Sequence, residues 1–193
     1  MKALLKDSRG TSVVELAIVM PLLLLVLLGV IEVSYALLDQ HVVTKMTREG
    51  SNLISRETSL ADAVNALKSM SGRPVNFNSN SKVIFSVVRR GATTGTNNYN
   101  KDVLYQRYEY GAIAGTSQIA TRGTGAYGAG PEYEATNADS DTNLQVTTLP
   151  AGITLSTGGT LYITEIFTTH ELITPFDKFG VTVPKTLYSI AYF

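Results

Sequence analysis

Apolar residues are concentrated in one run near the N-terminus of the chain. Residues 16–31 lie between Glu15 and Glu32, carry no charge and are nearly all apolar. Counted over 13–38, the apolar stretch covers about 26 residues, or about 39 Å of helix at roughly 1.5 Å per residue. A bilayer hydrocarbon core is about 30 Å thick. The pattern therefore predicts one membrane-spanning helix, and its basic N-terminal flank places the N-terminus in the cytoplasm.

The polar segment that follows keeps a helical pattern with one apolar side. This stripe repeats every seven residues at Met46, Leu53, Leu60 and Leu67. Such a stripe is typical of a helix packed on a sheet or on neighbouring helices. Thr58 or Ser59 supplies an N-cap, and Gly72 supplies a stop. We expect the long helix to end near Arg56 and a second, short helix to span 59–70.

Beyond Pro74 the apolar residues alternate, which predicts β-strands. The predicted strands are 82–90, 103–110, 161–169 and 186–193. The first two are expected to pair antiparallel across a turn-rich loop, with Val83, Phe85 and Val87 on one face. Residues 112–121 fit either a strand or a surface loop. Residues 123–143 are poor in bulky apolar side chains and are predicted to form a flexible or ligand-dependent loop.

These elements predict an α+β fold in which an antiparallel sheet packs on the outer half of a long N-terminal helix. Charge and composition then narrow the function. The 193-residue chain has no net charge, but residues 123–193 carry 2 basic and 7 acidic residues. An acidic second part argues against nucleic-acid binding. The absence of cysteine excludes thiol catalysis, cysteine-based zinc sites and c-type haem attachment.

Three interpretations of the N-terminal segment compete. It could be a plain single-pass anchor, or a cleaved secretory signal with a small-x-small site at Ser34-Tyr35-Ala36, although its apolar run is long for a signal. The third interpretation starts from Glu15, a carboxylate at the mouth of the apolar run, where charge is costly. Cleavage after Gly10 would create an α-amino group at Thr11. In a stack of helices, that amine could neutralise the Glu15 of a neighbouring subunit.

The residues around this carboxylate resemble a known family. The segment from Gly10 to Glu15, Gly-Thr-Ser-Val-Val-Glu, looks like the cleavage signature of type IV pilin-like precursors. Its continuation to Pro21, Leu-Ala-Ile-Val-Met-Pro, resembles the TadE-like minor pilins of tight-adherence systems. Arg48-Glu49-Gly50 stands where that family commonly has a similar stretch.

The resemblance implies cleavage between Gly10 and Thr11 by a prepilin peptidase, an aspartyl protease of the inner membrane. It implies that Glu15 governs entry into the filament or its assembly platform, and Pro21 would loosen the helix there. The expected partners are the inner membrane, the peptidase, other pilin subunits and the assembly platform. The C-terminal domain would be extracytoplasmic and, after assembly, would lie at the cell surface.

The expected organisation has four parts. Residues 1–10 form a leader, 11–38 a transmembrane or filament-core helix, and 39–72 an outer helical stem with the short second helix. Residues 73–193 form the β-sheet domain that carries the flexible loop. The alternative function is a membrane-anchored extracytoplasmic binding protein that never enters a filament.

Motifs for catalysis and for cofactors are weak. The glycines of 123–128 match the spacing of a dinucleotide-binding loop, but no helical pattern follows them. His170-Glu171 begins like a zinc-protease helix without its second histidine. We therefore expect no enzyme activity, no cofactor and no metal. One weak calcium candidate is an acidic cluster in the loop. Its members are Glu132, Glu134, Asp139 and Asp141.

Overall fold

The computed structural model describes residues 8–175, 178 and 185–193, and in these residues it confirms the α+β prediction. A long N-terminal apolar helix precedes a four-stranded antiparallel sheet. The helices are α1 (Ser8–Ser55) and α2 (Leu60–Met70), and a single 3-10 turn spans Thr142–Leu144. The strands are β1 (Ser81–Arg90), β2 (Asp102–Gly111), β3 (Thr160–Thr169) and β4 (Thr186–Tyr192).

The ends of the helices follow from local backbone chemistry. Glu57 has a left-handed φ of 63°, which a helix cannot continue through, so α1 ends at Ser55. Ser59 then caps α2, because its hydroxyl oxygen accepts the backbone N–H of Asp62 at 3.1 Å. Both predicted helix boundaries are confirmed to within one residue.

The sheet has the strand order β2-β1-β3-β4, and all its neighbours are antiparallel. The predicted pairing of the first two strands is confirmed, with a register irregularity between Val87 and Val88. Each of the four strands begins and ends within one residue of its prediction.

Both faces of the central strand β1 are buried. Val83, Phe85 and Val87 lie in one core cluster, which also contains residues of α1 and α2. Val88 belongs to a second cluster on the other face of the sheet, together with Leu104. Alternation had predicted only the first face. The second is covered by irregular chain between β2 and β3, whose apolar residues are too scattered to show a period.

The predicted loop 123–143 contains no strand, but its backbone is hydrogen-bonded to neighbouring chain. Ala135 donates its N–H to Tyr105 O at 2.7 Å, and Gly128 donates to Glu134 O at 2.7 Å. The flexibility of this loop stays a prediction. Residues 112–121 form neither helix nor strand apart from an isolated bridge between Thr121 and Val146.

Contacts between Cα atoms divide the chain into two compact units. The first contains residues 1–38 and 172–183, and the second contains 39–171 and 184–193. The predicted leader falls largely on residues 1–7, which lie outside the described part of the chain.

Candidate functional site

The first half of α1 presents its large apolar side chains outward. From Val13 to Leu38 these side chains are exposed except for the half-buried Leu28, with exposed fractions from 71% at Ile18 to 36% at Ile31. An 18-residue window of this helix has a mean hydropathy of 2.8, and none of the window is buried. In the part of the chain that the structure describes, this is one helix long and apolar enough to cross a membrane. Such a surface is stable in lipid or against other helices, because water disfavours it.

The predicted processing and assembly residues all lie on this helix. Gly10 and Thr11 are in its first turn, and Pro21 is inside it. Glu15 follows Thr11 by four residues, about one helical turn. The Glu15 side chain is exposed, and no described residue forms an ion pair with it. The carboxylate at the start of the apolar run is therefore without a counter-charge among the described residues of its own chain.

Glu32, the carboxylate at the other end of the apolar run, has a different environment from that of Glu15. It is buried, with 4% of its surface exposed. Its Oε2 accepts the backbone N–H of Thr174 at 2.8 Å and that of Ile173 at 3.2 Å. The hydroxyl of Thr174 donates to the same oxygen at 2.5 Å. These charge-assisted hydrogen bonds compensate the desolvation of the carboxylate.

The second compact unit, residues 39–171 and 184–193, holds a further buried carboxylate, Glu165 of β3, with no exposed surface. It accepts hydrogen bonds from the hydroxyl of Ser117, from the backbone N–H of Gln118 at 2.8 Å and from the phenol of Tyr188 at 2.8 Å. Arg107 joins the cluster, since its Nη2 donates to Ser117 Oγ at 3.0 Å. The cluster lies under the irregular segment that covers the second face of the sheet.

The electrostatics of this cluster follow from burial. Burial lowers the pKa of the Arg107 guanidinium, because the charged form loses hydration. Burial, and then the hydrogen bond to the Glu165 carboxylate, raises the pKa of the Tyr188 phenol. Neither shift produces a general acid or base near neutral pH. The arrangement fastens the covering segment to the sheet.

The other predicted polar residues are held locally. His170 is 1% exposed, and its Nδ1 lies 2.7 Å from Asp39 Oδ2, so the ring is closed to solvent. Asp139 Oδ2 accepts the hydroxyl of Thr93, and Asp141 caps the short 3-10 turn. Among the residues that the structure describes, no group of three or more His, Cys, Asp or Glu side chains could hold one metal ion.

Sequence reasoning missed the partners of Glu32 and the whole Glu165 cluster. Glu165 gave a usable signal, because a single acid inside a strand otherwise made of apolar residues and threonines needs a hydrogen-bonded partner when both faces are covered. The contacts of Glu32 gave no sequence signal, since 141 positions separate it from Ile173 and 142 from Thr174. Their pairing depends on tertiary structure.

The chain is thus an α+β protein with one N-terminal apolar helix, which indicates a membrane anchor, and an antiparallel sheet. Comparison with known families gives one match, to the family described as TadE-like protein, over residues 10–52. The resemblance seen in the sequence is confirmed over this range, which includes Glu15, Pro21 and Gly50. The match and the single helix fit a pilin-like protein. No curated protein and no solved structure matches the chain.

Proposed function

We propose that this chain is a minor pilin or pseudopilin of a tight-adherence type pilus. It is inserted in the inner membrane and is cleaved between Gly10 and Thr11 by a prepilin peptidase. It then enters the filament or primes its assembly for surface attachment. The observation that carries this proposal is Glu15, a carboxylate without a counter-charge that starts an exposed apolar helix, inside the segment matching TadE-like proteins.

The physical basis of assembly is the cost of that carboxylate. An ionised acid near the bilayer centre costs about 2.5–3.5 kcal/mol, and less near the interface. The α-amino group released at Thr11 would supply a positive charge to the Glu15 of a neighbouring subunit. Packing between apolar helices and this ion pair together favour transfer from lipid into a filament core. Pro21 removes one backbone hydrogen bond and lets the helix adjust to its neighbours.

We also propose that the chain is not an enzyme. His170, with its carboxylate partner, is enclosed, so a substrate has no access to its ring. A surface hydrolase would predict that His170→Ala abolishes an activity, and we expect none to be lost. Glu165 and Tyr188 serve a structural cluster.

The mature N-terminus tests the proposal most directly. Protein that is expressed from the full-length sequence and isolated from membranes should begin at Thr11 when its N-terminus is determined by mass spectrometry. An intact Met1 would favour the alternative, a membrane-anchored binding protein outside any filament. A start at Leu37 would favour secretion after cleavage behind Ala36.

Glu15 provides the test of assembly. Glu15→Val and Glu15→Gln should both insert into the membrane and be processed, yet filament incorporation should fall by about tenfold or more, because the pairing charge is gone. Incorporation is measured as the ratio of sheared to membrane-bound protein on immunoblots. Glu132→Gln, which removes an exposed carboxylate far along the chain, is the matched control. Normal incorporation of both Glu15 variants would refute the pairing mechanism.

A further inference from the structure

Strand β4 is an edge of the sheet, and the register shows which of its backbone groups are not bonded to β3. Tyr162 and Phe193 exchange two hydrogen bonds, each of 2.9 Å. In an antiparallel ladder, hydrogen-bonded and non-hydrogen-bonded pairs alternate. Leu187, Ser189 and Ala191 therefore bond to β3, which is paired with β4 throughout. The N–H and C=O groups at Tyr188, Ile190 and Tyr192 point away from the sheet.

Among the residues that the structure describes, neighbouring chain covers the opposite edge of the sheet and leaves β4 as an open edge. Strand β2 carries Arg107 and Glu109, and the chain at 133–135 bonds along its outer side, for example from Ala135 N to Tyr105 O at 2.7 Å. Strand β4 has neither a charged residue nor a proline. Within the described residues, Gln40 Nε2 reaches one outward carbonyl, that of Tyr188, at 3.2 Å. Edge strands without such protection accept further strands.

A positively charged face of α1 runs beside this edge. His41, Thr44, Lys45, Arg48, Glu49 and Asn52 line an open groove of about 440 Å³ together with Phe193, which continues β4. Ser51 Oγ donates to Ala191 O at 2.8 Å, so this part of α1 lies alongside the strand. Lys45 and Arg48 are exposed, and neither has an ion-pair partner in the described part of the chain. Glu49 offsets one of their two charges.

We propose that the β4 edge and this groove form a docking site for an extended acidic segment of another protein subunit. The segment would add to the sheet as a fifth strand beside β4, with its main chain bonded to the N–H of Tyr188 and to the N–H and C=O groups at 190 and 192. Its acidic side chains would face Lys45 and Arg48, and its apolar side chains would contact Tyr192 and Phe193, which are 47% and 61% exposed. Because the partner is taken to be a subunit of the same assembly, this inference rests on the proposed function.

Charge is the argument for an acidic occupant. Strand addition by itself is tolerant of sequence, since its hydrogen bonds come from the main chain. Two cations without partners beside the edge favour a negative segment and disfavour a basic one. The strand is seven residues long, or about 23 Å at roughly 3.3 Å per residue, so it offers room for a segment of similar length.

The test uses the full chain in detergent micelles and a synthetic probe of defined chemistry. The probe is an end-capped ten-residue peptide of alternating valine and glutamate, and its control is alternating valine and lysine. Backbone amide exchange is read by NMR. The glutamate peptide should slow exchange at Tyr188, Ile190 and Tyr192, while the lysine peptide should not. Leu187 and Ser189, already bonded to β3, serve as internal references.

Two sets of variants separate the contributions. Tyr192→Pro removes an outward N–H without touching a ladder bond, and should weaken peptide binding, while Tyr192→Ala removes only the ring and keeps the donor. Lys45→Glu combined with Arg48→Glu should reduce the affinity for the glutamate peptide by about tenfold and reverse the preference. Circular dichroism confirms that each variant is folded.

Each outcome decides the matter. Protection by the glutamate peptide alone supports the site. Equal protection by both peptides, or by neither, overturns it. Protection that rises with protein concentration in the absence of peptide would assign the edge to a second copy of this chain, and would also overturn it. The N-terminus is determined on the same sample. A start at Met1 together with selective protection would contradict the processing proposal and support the docking site. A start at Thr11 without protection would support processing and contradict the docking site.

Discussion

Glu165, Glu32 and Glu15 lie in apolar surroundings, and the environments of these three carboxylates differ. Glu165 and Glu32 are buried, and both accept hydrogen bonds from backbone N–H groups and hydroxyls of residues distant in sequence. Glu15 is exposed beside apolar side chains and has no ion-pair partner among the described residues. A buried charge needs such compensation. The first two carboxylates have it within the chain, and the lack of an ion-pair partner for Glu15 among the described residues is the reason that we propose an external one.

The Tyr188 phenol makes stability sensitive to alkali. The pKa of this group is raised above its ordinary 10.0, so its contribution to stability is complete below about pH 10 and is lost as pH rises towards the raised pKa. Tyr188→Phe should lower the free energy of unfolding by about 1 kcal/mol at neutral pH, through loss of the bond to Glu165. It should also flatten the fall in stability above pH 10.

Urea unfolding followed by circular dichroism in micelles, repeated between pH 7 and pH 11, measures both effects. Tyr99→Phe, at an exposed site outside the cluster, controls for the loss of a hydroxyl group. An unchanged alkaline slope in Tyr188→Phe would contradict the role assigned to this phenol.

At the residue scale, sequence reasoning reached Glu15 but not the Glu165 cluster. Glu15 is marked by its position at the start of the longest apolar run, a purely local signal. The partners of Glu165 come from segments 23 to 48 residues away. Strand pairing brings Tyr188 to Glu165, and irregular chain folded over the sheet brings Ser117 and Gln118, so no local pattern encodes the cluster.

At the element scale, the packing of α1 on the sheet depends on a missing side chain. A Cβ built on Gly50 would lie 2.8 Å from Thr164 Cγ2 and 3.2 Å from Phe85 Cε1. Gly50→Ala should therefore destabilise the second compact unit by about 1–3 kcal/mol, despite the better helix propensity of alanine. Gly72→Ala is the matched control, because a Cβ there meets nothing within 4 Å. Thermal unfolding of both variants in micelles measures the difference, and equal midpoints would argue against the close approach.

Glu32 anchors the segment at 173–174, and hydrogen exchange can report on that contact. Glu32→Ala removes the acceptor of the Ile173 and Thr174 amides, so both should exchange about five- to tenfold faster, as expected for the loss of one hydrogen bond each. Exchange measured by mass spectrometry on the full chain in micelles resolves this segment. Glu15→Ala should leave it unchanged, and unaltered exchange in Glu32→Ala would disprove the anchoring.

The elements themselves were predictable, because each has a local cause. The helix boundary follows from Ser59 and the residues before it, and the strands follow from alternation of apolar side chains. The covering of the second face was not predictable in the same way. Ile119 and Leu144 enter the core from irregular chain, where a single apolar residue has no neighbours at a regular spacing.

At the scale of the whole molecule, the apolar half of α1 decides where the protein resides. Leu24 is 53% exposed near the middle of the run. Leu24→Arg should cost about 2.5–3.5 kcal/mol on insertion and so reduce the fraction that resists extraction of membranes with alkaline carbonate. Leu24→Ile, which keeps the hydropathy, should remain fully integrated. Equal retention of the two variants would count against a membrane-spanning role for this helix.

The unequal edges of the sheet also limit how many strands the molecule can recruit. Along β2 the chain's own residues occupy the outer side, so, among the described residues, β4 is the edge beside which the proposed segment would join. A ribbon of sheets that grows from molecule to molecule needs two open sides. Because the edge at β2 is covered, strand addition would stop after one added segment. This favours a fixed stoichiometry over continued polymerisation into amyloid-like aggregates.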